Sequence, residues 1–399
     1  MEDLFDFLIQ SYKAGTLVQD VYARSLSERE ESEALIQNLA ALHNEGAIDV
    51  VAQFSLLKNT PDSEVDFFLA RHIFEELLPT IDAPVASVLE CVTNLYREAG
   101  NDMAAGAILN SYIAFCAQEK SRPREALVEI EGNCQFVDLL APTIIAGSEL
   151  EHKRYVLEAL RLANETDTEI RRRAIFALGR IKWGKNAIPP EPVYAGLCKT
   201  ISDESDDELL ASVLTTLLNL SRHDDTRVDR IGVMIAEALS KGGVFAVHAA
   251  SQLFGFHAEE LPTSILNVLL PFLLEVKPDN KGTIDNIDYG LSHMLRRGDF
   301  EETMSFLEEM LIAHRKVLSL DAFDSVASQL LKDPSLIATI LTRWFLRGDA
   351  ALCEGICALI GPSYGRNIHL EVDPSELNPL DKVRIIFVAR KAIGYLFVF

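Results

Sequence analysis

Between Asp167 and Ile181 the chain reads DTEIRRRAIFALGRI, and weaker copies of that stretch return at intervals in the high thirties. Ile170, Ala174, Ala177, Leu178 and Ile181 fall at i, i+4, i+7, i+8 and i+11, the apolar stripe of one helix face. Asp167 stands just ahead of the stripe, where a short carboxylate accepts from unpaired backbone N–H groups. Gly184, Pro189 and Pro190 end the helix. Residues 208–220 (ELLASVLTTLLNL) align with 169–181 at an offset of 39, from Glu169 to Glu208, with Val213, Leu217 and Leu220 replacing Ala174, Leu178 and Ile181. A further 36 residues, from Val213 to Ala249, put Ala249, Leu253 and Phe256 on those positions, and 38 more reach Ile287, Leu291 and Met294. Another apolar helical segment precedes each copy, over 153–162, 193–201, 228–239 and 262–274. Paired helices repeated at this period predict a chain in which each pair buries its apolar face against its neighbours. Leu178, Leu217 and Leu253 are then expected between the two helices of their repeats.

The pattern Asp-x-x-Ile-Arg-x-x-Ala-x-x-Ala-Leu-Gly, from Asp167 to Gly179, resembles the second helix of a HEAT repeat. The resemblance implies that Asp167 caps the turn, that Arg171 lies along a ladder within the repeat, and that Ala177, Leu178 and Gly179 pack the hairpin. The fold it implies is all-α, a right-handed α-solenoid of antiparallel helix pairs. It implies no particular function, because such repeats serve many.

Along the chain, residues 1–120 read as acidic N-terminal helical repeats and 121–360 as the HEAT-like array. Residues 361–382, with prolines 362, 374 and 379, read as a linker, and 383–399 as an apolar C-terminal helix. Ser27 and Glu30 have capping-box spacing and are expected to open a helix. Ser121-Arg-Pro-Arg reads as a helix break. The final Leu-Phe-Val-Phe offers no polar outer face, so this end is expected either to fold back on the preceding repeats or to begin a further segment. The run after Lys391 is far short of the roughly 20 residues of a membrane span, so a membrane becomes a partner only if the chain continues beyond Phe399.

The net charge is −23, with 17 Asp or Glu against 5 Lys or Arg in residues 1–90 alone. That sign disfavours bulk nucleic-acid binding, which depends on Lys and Arg displacing counterions from phosphates. Six cysteines form no CxxC pair and read as reduced thiols, and the acidic start Met1-Glu-Asp-Leu-Phe-Asp lacks a basic leader region, so a cytoplasmic location is expected. Cys353 and Cys357 share a helix face without further ligands nearby, and no two histidines have the metalloprotease spacing. His248 and His257 flank one helix and are weighed as a pair meeting across a turn. Asp203–Glu208 (DESDDE) lacks the alternation and central Gly of a calcium loop and reads as a turn. Gly361-Pro-Ser-Tyr-Gly-Arg lacks the Gly-Lys-Ser/Thr of a phosphate loop, leaving Ser363, Tyr364 and Arg366 as weak contacts. No catalytic residue, metal or cofactor is expected.

One segment runs against the overall charge. Residues 151–185 hold 9 Lys or Arg against 5 Asp or Glu, and Arg171, Arg172, Arg173, Arg180, Lys182, Trp183 and Lys185 gather cations and an aromatic near one repeat edge. Such a group can clamp phosphates or an acidic peptide, or serve as a charge ladder to the DESDDE acids of the next repeat. The expected function is a non-enzymatic interaction scaffold or recognition array with a protein partner, standing alone or as the N-terminal part of a larger multidomain protein. The alternative is a nucleic-acid-handling or enzymatic protein on the same scaffold, using residues 171–185.

Overall fold

The computed structural model describes residues 4–27, 32–61, 63–100, 102–183, 189–360, 378–383 and 386. Every regular element among them is helical, none is a strand, and none is long and apolar enough to cross a membrane. The chain divides into two compact units, Met1–Leu197 and Cys198–Phe399.

The first unit contains α1 (Leu4–Ala14), α2 (Leu17–Ser27), α3 (Ser32–Asn44), α4 (Val50–Phe54), α5 (Phe67–Leu77), α6 (Val85–Ala99) and α7 (Ala107–Cys116). It continues through α8 (Ser121–Gly132), α9 (Leu140–Leu150), α10 (His152–Leu162) and α11 (Thr168–Arg180), and α12 (Glu191–Asp203) spans the boundary. Helices α1, α3, α5, α7, α9 and α11 pack each on the next as one layer, and α2, α4, α6 and α8 form a second.

The second unit holds α13 (Asp207–Ser221), α14 (Val228–Lys241), α15 (Val244–His257), α16 (Thr263–Leu274) and α17 (Lys281–Arg297). After them come α18 (Phe300–Ala313), α19 (Asp324–Leu330), α20 (Pro334–Arg347) and α21 (Ala350–Ile360). Here α13, α15, α17 and α19 make one layer and α14, α16 and α18 the other. Packing with the helix two places on, rather than with distant elements, is the arrangement of a helical repeat.

Local sequence explains where the helices start. Asp49, Asp66, Asp167, Asp206 and Asp333 each accept a backbone N–H of the first turn they precede. Asp167 takes two, from Glu169 at 2.9 Å and Ile170 at 3.0 Å. Caps of this kind stabilise a helix by about 1 kcal/mol.

A second capping device ties one repeat to the next. Asp207, in the first turn of α13, accepts from the N–H groups of Gly243 (2.6 Å), Phe245 (2.8 Å) and Ala246 (3.0 Å) at the start of α15. A Cβ on Gly243 would stand 2.8 Å from that carboxylate, so the glycine makes room for it. Asp288 of α17 does the same for α19, accepting from Ser325 and Val326 at 2.9 Å each. Burial pushes the Asp288 carboxyl up from its ordinary value, against the pull of those donors.

Side-chain hydrogen bonds between repeats span from 27 residues (Arg124 to Glu151) to 42 (Arg343 to Glu301). The polar chemistry therefore shares the period of the apolar stripe. One of these ties centres on Glu308 of α18, whose side chain is fully enclosed. Its carboxylate accepts from Trp344 Nε1 at 2.9 Å, pairs with Arg343 Nε at 2.8 Å and binds Arg347 Nη1, all on α20. A buried charge is tolerable only with its acceptor sites filled in this way.

Close approach of helices rests on glycine facing an aromatic ring. A Cβ on Gly147 would meet the Tyr155 ring at 2.3 Å, one on Gly290 the Phe254 ring at 2.3 Å, and one on Gly355 the Trp344 ring at 2.7 Å. All three rings are fully buried.

Several expectations need correction. Ala174, Leu178 and Ile181, Val213, Leu217 and Leu220, and Ile287, Leu291 and Met294 are buried as the register requires. In α15 the register is shifted by one: Ala250 and Phe254 are buried, Ala249 and Leu253 are only half-buried, and Phe256 is 63% exposed. Helix α15 is apolar around most of its circumference, so hydropathy alone does not select the buried stripe. Ser27 ends α2 instead of opening a helix, and 28–31 lie outside the described residues. Ser121-Arg-Pro-Arg opens α8, where Pro123 sits in the first turn and disturbs no hydrogen bond of the helix. Residues 361–377, with Ser363, Tyr364 and Arg366, and most of 383–399 also lie outside the described residues.

Candidate functional site

The basic segment runs along α11 and just beyond it. Arg171, Arg172 and Arg173 are each half-buried. Arg172 Nη2 lies 2.6 Å from Glu169 Oε2, and Arg173 Nε lies 2.9 Å from Glu169 Oε1. Arg173 also binds Asp138 of the turn before α9, a tie of 35 residues. Arg180 is exposed and its guanidinium stands 5.7 Å from the Phe176 ring centre, stacked on its own helix. Lys182 pairs with Glu149 of α9 at 2.5 Å.

Trp183 is not a surface stacking platform. It is 6% exposed, donates from Nε1 to the Leu178 carbonyl at 3.0 Å, and meets the His152 ring edge-on at 5.2 Å. It plugs the C-terminal end of α11. Lys185 and Gly184 lie outside the described residues. Arg173 and Lys182 thus reach acids on α9 and the turn before it. In the DESDDE stretch Asp206 caps α13 and Asp207 caps α15.

A different surface stands out in the second unit, and sequence reasoning missed it. Phe245, Gln252 and Phe256 share one face of α15, at i, i+7 and i+11, and all three are exposed. On α17, Asp285 and Tyr289 are both exposed and share a face at i, i+4. The Phe256 and Tyr289 ring centres are 6.1 Å apart, and Tyr289 meets His293 edge-on at 4.7 Å. His293 is held in turn: its Nδ1 is 2.8 Å from Glu259 Oε1, and Arg296 Nε is 3.1 Å from the same oxygen. A polar network therefore fixes an aromatic row that is left open to solvent. The signal was present in the sequence, since Phe256 breaks the buried register once α15 is aligned on Phe254.

The remaining candidates settle into packing. Cys353 and Cys357 are buried in α21. Burial pushes the Cys91 and Cys116 thiols up to about 12, which leaves them protonated and inert. His248 Nδ1 is 2.8 Å from Thr283 Oγ1 and His257 Nδ1 is 3.8 Å from Glu260, so the two histidines engage different neighbours instead of each other. Among the described residues no group of three or more His, Cys, Asp or Glu side chains is placed to hold a metal ion.

No family model matches the sequence, and no curated protein matches it. Among solved structures the chain is similar to a crystal structure of an engineered protein, at 13% identity over 99% of each chain with a TM-score of 0.38. That likeness is too distant to bear on fold or function.

Proposed function

We propose that this chain is a non-enzymatic interaction array built from right-handed, HEAT-like helix pairs, and that it binds a protein partner. The observation that carries this reading is the row of Phe245, Phe256 and Tyr289, large aromatic side chains open to water, with the Phe256 and Tyr289 rings held against each other. Burying such rings against a partner is strongly favourable, and aromatic residues dominate the binding energy of interfaces. The ladder of ties between repeats supports it, because within each unit it joins successive helices. The six free cysteines fit a reducing compartment, the cytoplasm.

The basic segment supports a structural role over a phosphate clamp. Arg172, Arg173 and Lys182 are held by acids of the same unit, and Trp183 is enclosed. Two measurements on the full chain test the reading. Titration with duplex DNA and with RNA at low salt should give no binding. Chemical cross-linking in a lysate should join the wild-type chain to a protein partner, and the Phe256→Ala/Tyr289→Ala variant should lose it. Nucleic-acid binding that Arg171→Glu abolishes, with no protein partner, would overturn the reading.

A further inference from the structure

We propose that the partner docks on the α15–α17 face through a short extended segment that is basic and apolar in alternation. The inference rests on the interaction-array reading and adds the chemistry of what that array holds.

The apolar half of the argument is the spacing of the rings. Phe245 and Phe256 are eleven residues apart on one helix face, which is about 16 Å along the axis. An extended peptide covers that length in about five residues, so side chains of one parity reach both ends of the row. Gln252, exposed between the two rings, offers amide donors and acceptors to a peptide backbone.

The charged half comes from which ions are already committed. Arg296 is tied to Glu259 and His293, and Arg297 donates to the carbonyls of Ala258 (3.2 Å) and Leu261 (2.9 Å) and pairs with Asp299. Arg296 and Arg297, the cations of α17 whose side chains are described, are therefore committed. Asp285, one turn before Tyr289, and Asp324, at the start of the adjoining α19, are exposed and have no ion-pair partner among the described residues. What this face presents is aromatic rings flanked by uncompensated carboxylates, in a chain of net charge −23. A guanidinium or ammonium satisfies both features at once. It stacks on the electron-rich face of Phe256 or Tyr289 and pairs with Asp285 or Asp324 a residue or two along. A nucleic acid or an anionic lipid surface would meet the wrong sign here.

The test uses the full chain and three fluorescein-labelled 12-residue peptides. One alternates Arg with Phe and Leu, one carries Glu for Arg, and one carries Ser for Phe and Leu. Anisotropy titrations should show binding of the first peptide alone. Phe256→Ala/Tyr289→Ala should weaken it at least about tenfold, the scale of interface anchor residues. Asp285→Asn/Asp324→Asn should also weaken it and reduce its salt dependence. All four side chains are exposed, so melting temperatures should match the parent, and circular dichroism checks this. Equal binding of the Arg/Ser peptide would show bulk charge attraction only and overturn the proposal. So would unchanged affinity in the aromatic variant, or no binding at all. A wild-type dimer in sedimentation that Phe256→Ala/Tyr289→Ala dissolves would assign the face to a second copy and overturn it too. If a cross-linked partner persists in the aromatic variant, this face is wrong while the array reading stands. If no partner exists and nucleic acid binds, the array reading itself falls.

Discussion

Replacing Gly290 by alanine adds one methyl group, and the structure predicts that the molecule cannot absorb it. The new Cβ would lie 2.3 Å from Phe254 Cε1, 2.4 Å from Cδ1 and 2.9 Å from Cγ, well inside van der Waals contact. Phe254 is fully buried, and α15, which carries it, is packed between α13 and α17, so the ring has nowhere to turn. Overpacking of a core costs about 1–3 kcal/mol. The 2.3 Å contact with a fully buried ring places the cost at the upper end of that range, and alanine returns up to about 1 kcal/mol through its higher helix propensity, leaving a net loss of about 2 kcal/mol. Gly232 of α14 is the control, because its added Cβ would meet Val268 Cγ2 at 3.6 Å and Ile265 Cδ1 at 3.8 Å, ordinary contacts. There the propensity gain stands alone, and Gly232→Ala should stabilise by about 0.5–1 kcal/mol. Urea midpoints, with hydrogen exchange along α15 and α17 to localise the effect, read both variants. The reasoning fails if Gly290→Ala matches or exceeds the parent in stability, or if the two variants shift in the same direction.

Glu308→Ala leaves the Trp344 N–H without its acceptor, removes the carboxylate that binds Arg347 and leaves Arg343 with Glu301 alone, so it should lower stability by about 3 kcal/mol or more, read by thermal melting. Leu178→Ala should cost about 2–5 kcal/mol, whereas Leu253→Ala, at a half-buried site, should cost about 1 kcal/mol or less; equal losses would restore the unshifted register. In the folded chain an aromatic disulfide reagent should label exposed Cys134 quickly and leave Cys91 and Cys116 unreacted until denaturant is added. A hydrogen bond from Lys58, then one from the Asn59 N–H, hold the Glu98 carboxyl below its ordinary 4.5. Its folded value lies under its unfolded one, so its contribution is present above that value and is lost as pH falls through the folded one. Glu98→Gln should accordingly flatten the acid limb of a stability profile.

The helical class, the period and most of the helix limits were legible in the sequence. They follow from apolar spacing and from local caps such as Asp167, signals confined to a few consecutive residues. Helix α9 was missed because its buried residues run almost without interruption from Leu140 to Ser148, leaving no polar face to show a period. The caps by Asp207 and Asp288 were invisible for another reason: donor and acceptor lie 36 to 39 residues apart, and only the packing says which N–H groups face which acid. The basic segment 171–185 was visible as charge. Its commitment to Asp138, Glu149 and Glu169 depends on which helices are neighbours. The aromatic row was hidden by the one-residue shift in α15, which made an exposed Phe256 look like core.

The ties between repeats have a mechanical consequence. Each joins a helix to one 27 to 42 residues away, about a tenth of the 399-residue chain or less. Where the ties between described residues are this short, tension applied along either unit is not shared by all its helices. The least-tied pair opens first, its neighbours keep their own caps, and the break stays where it began. Asp207 and Asp288 set where such openings stop, because tearing α15 or α19 away exposes the N–H groups those carboxylates hold. Each unit should therefore lengthen under load in discrete steps about one helix pair in size, and close again from whichever pairs remain.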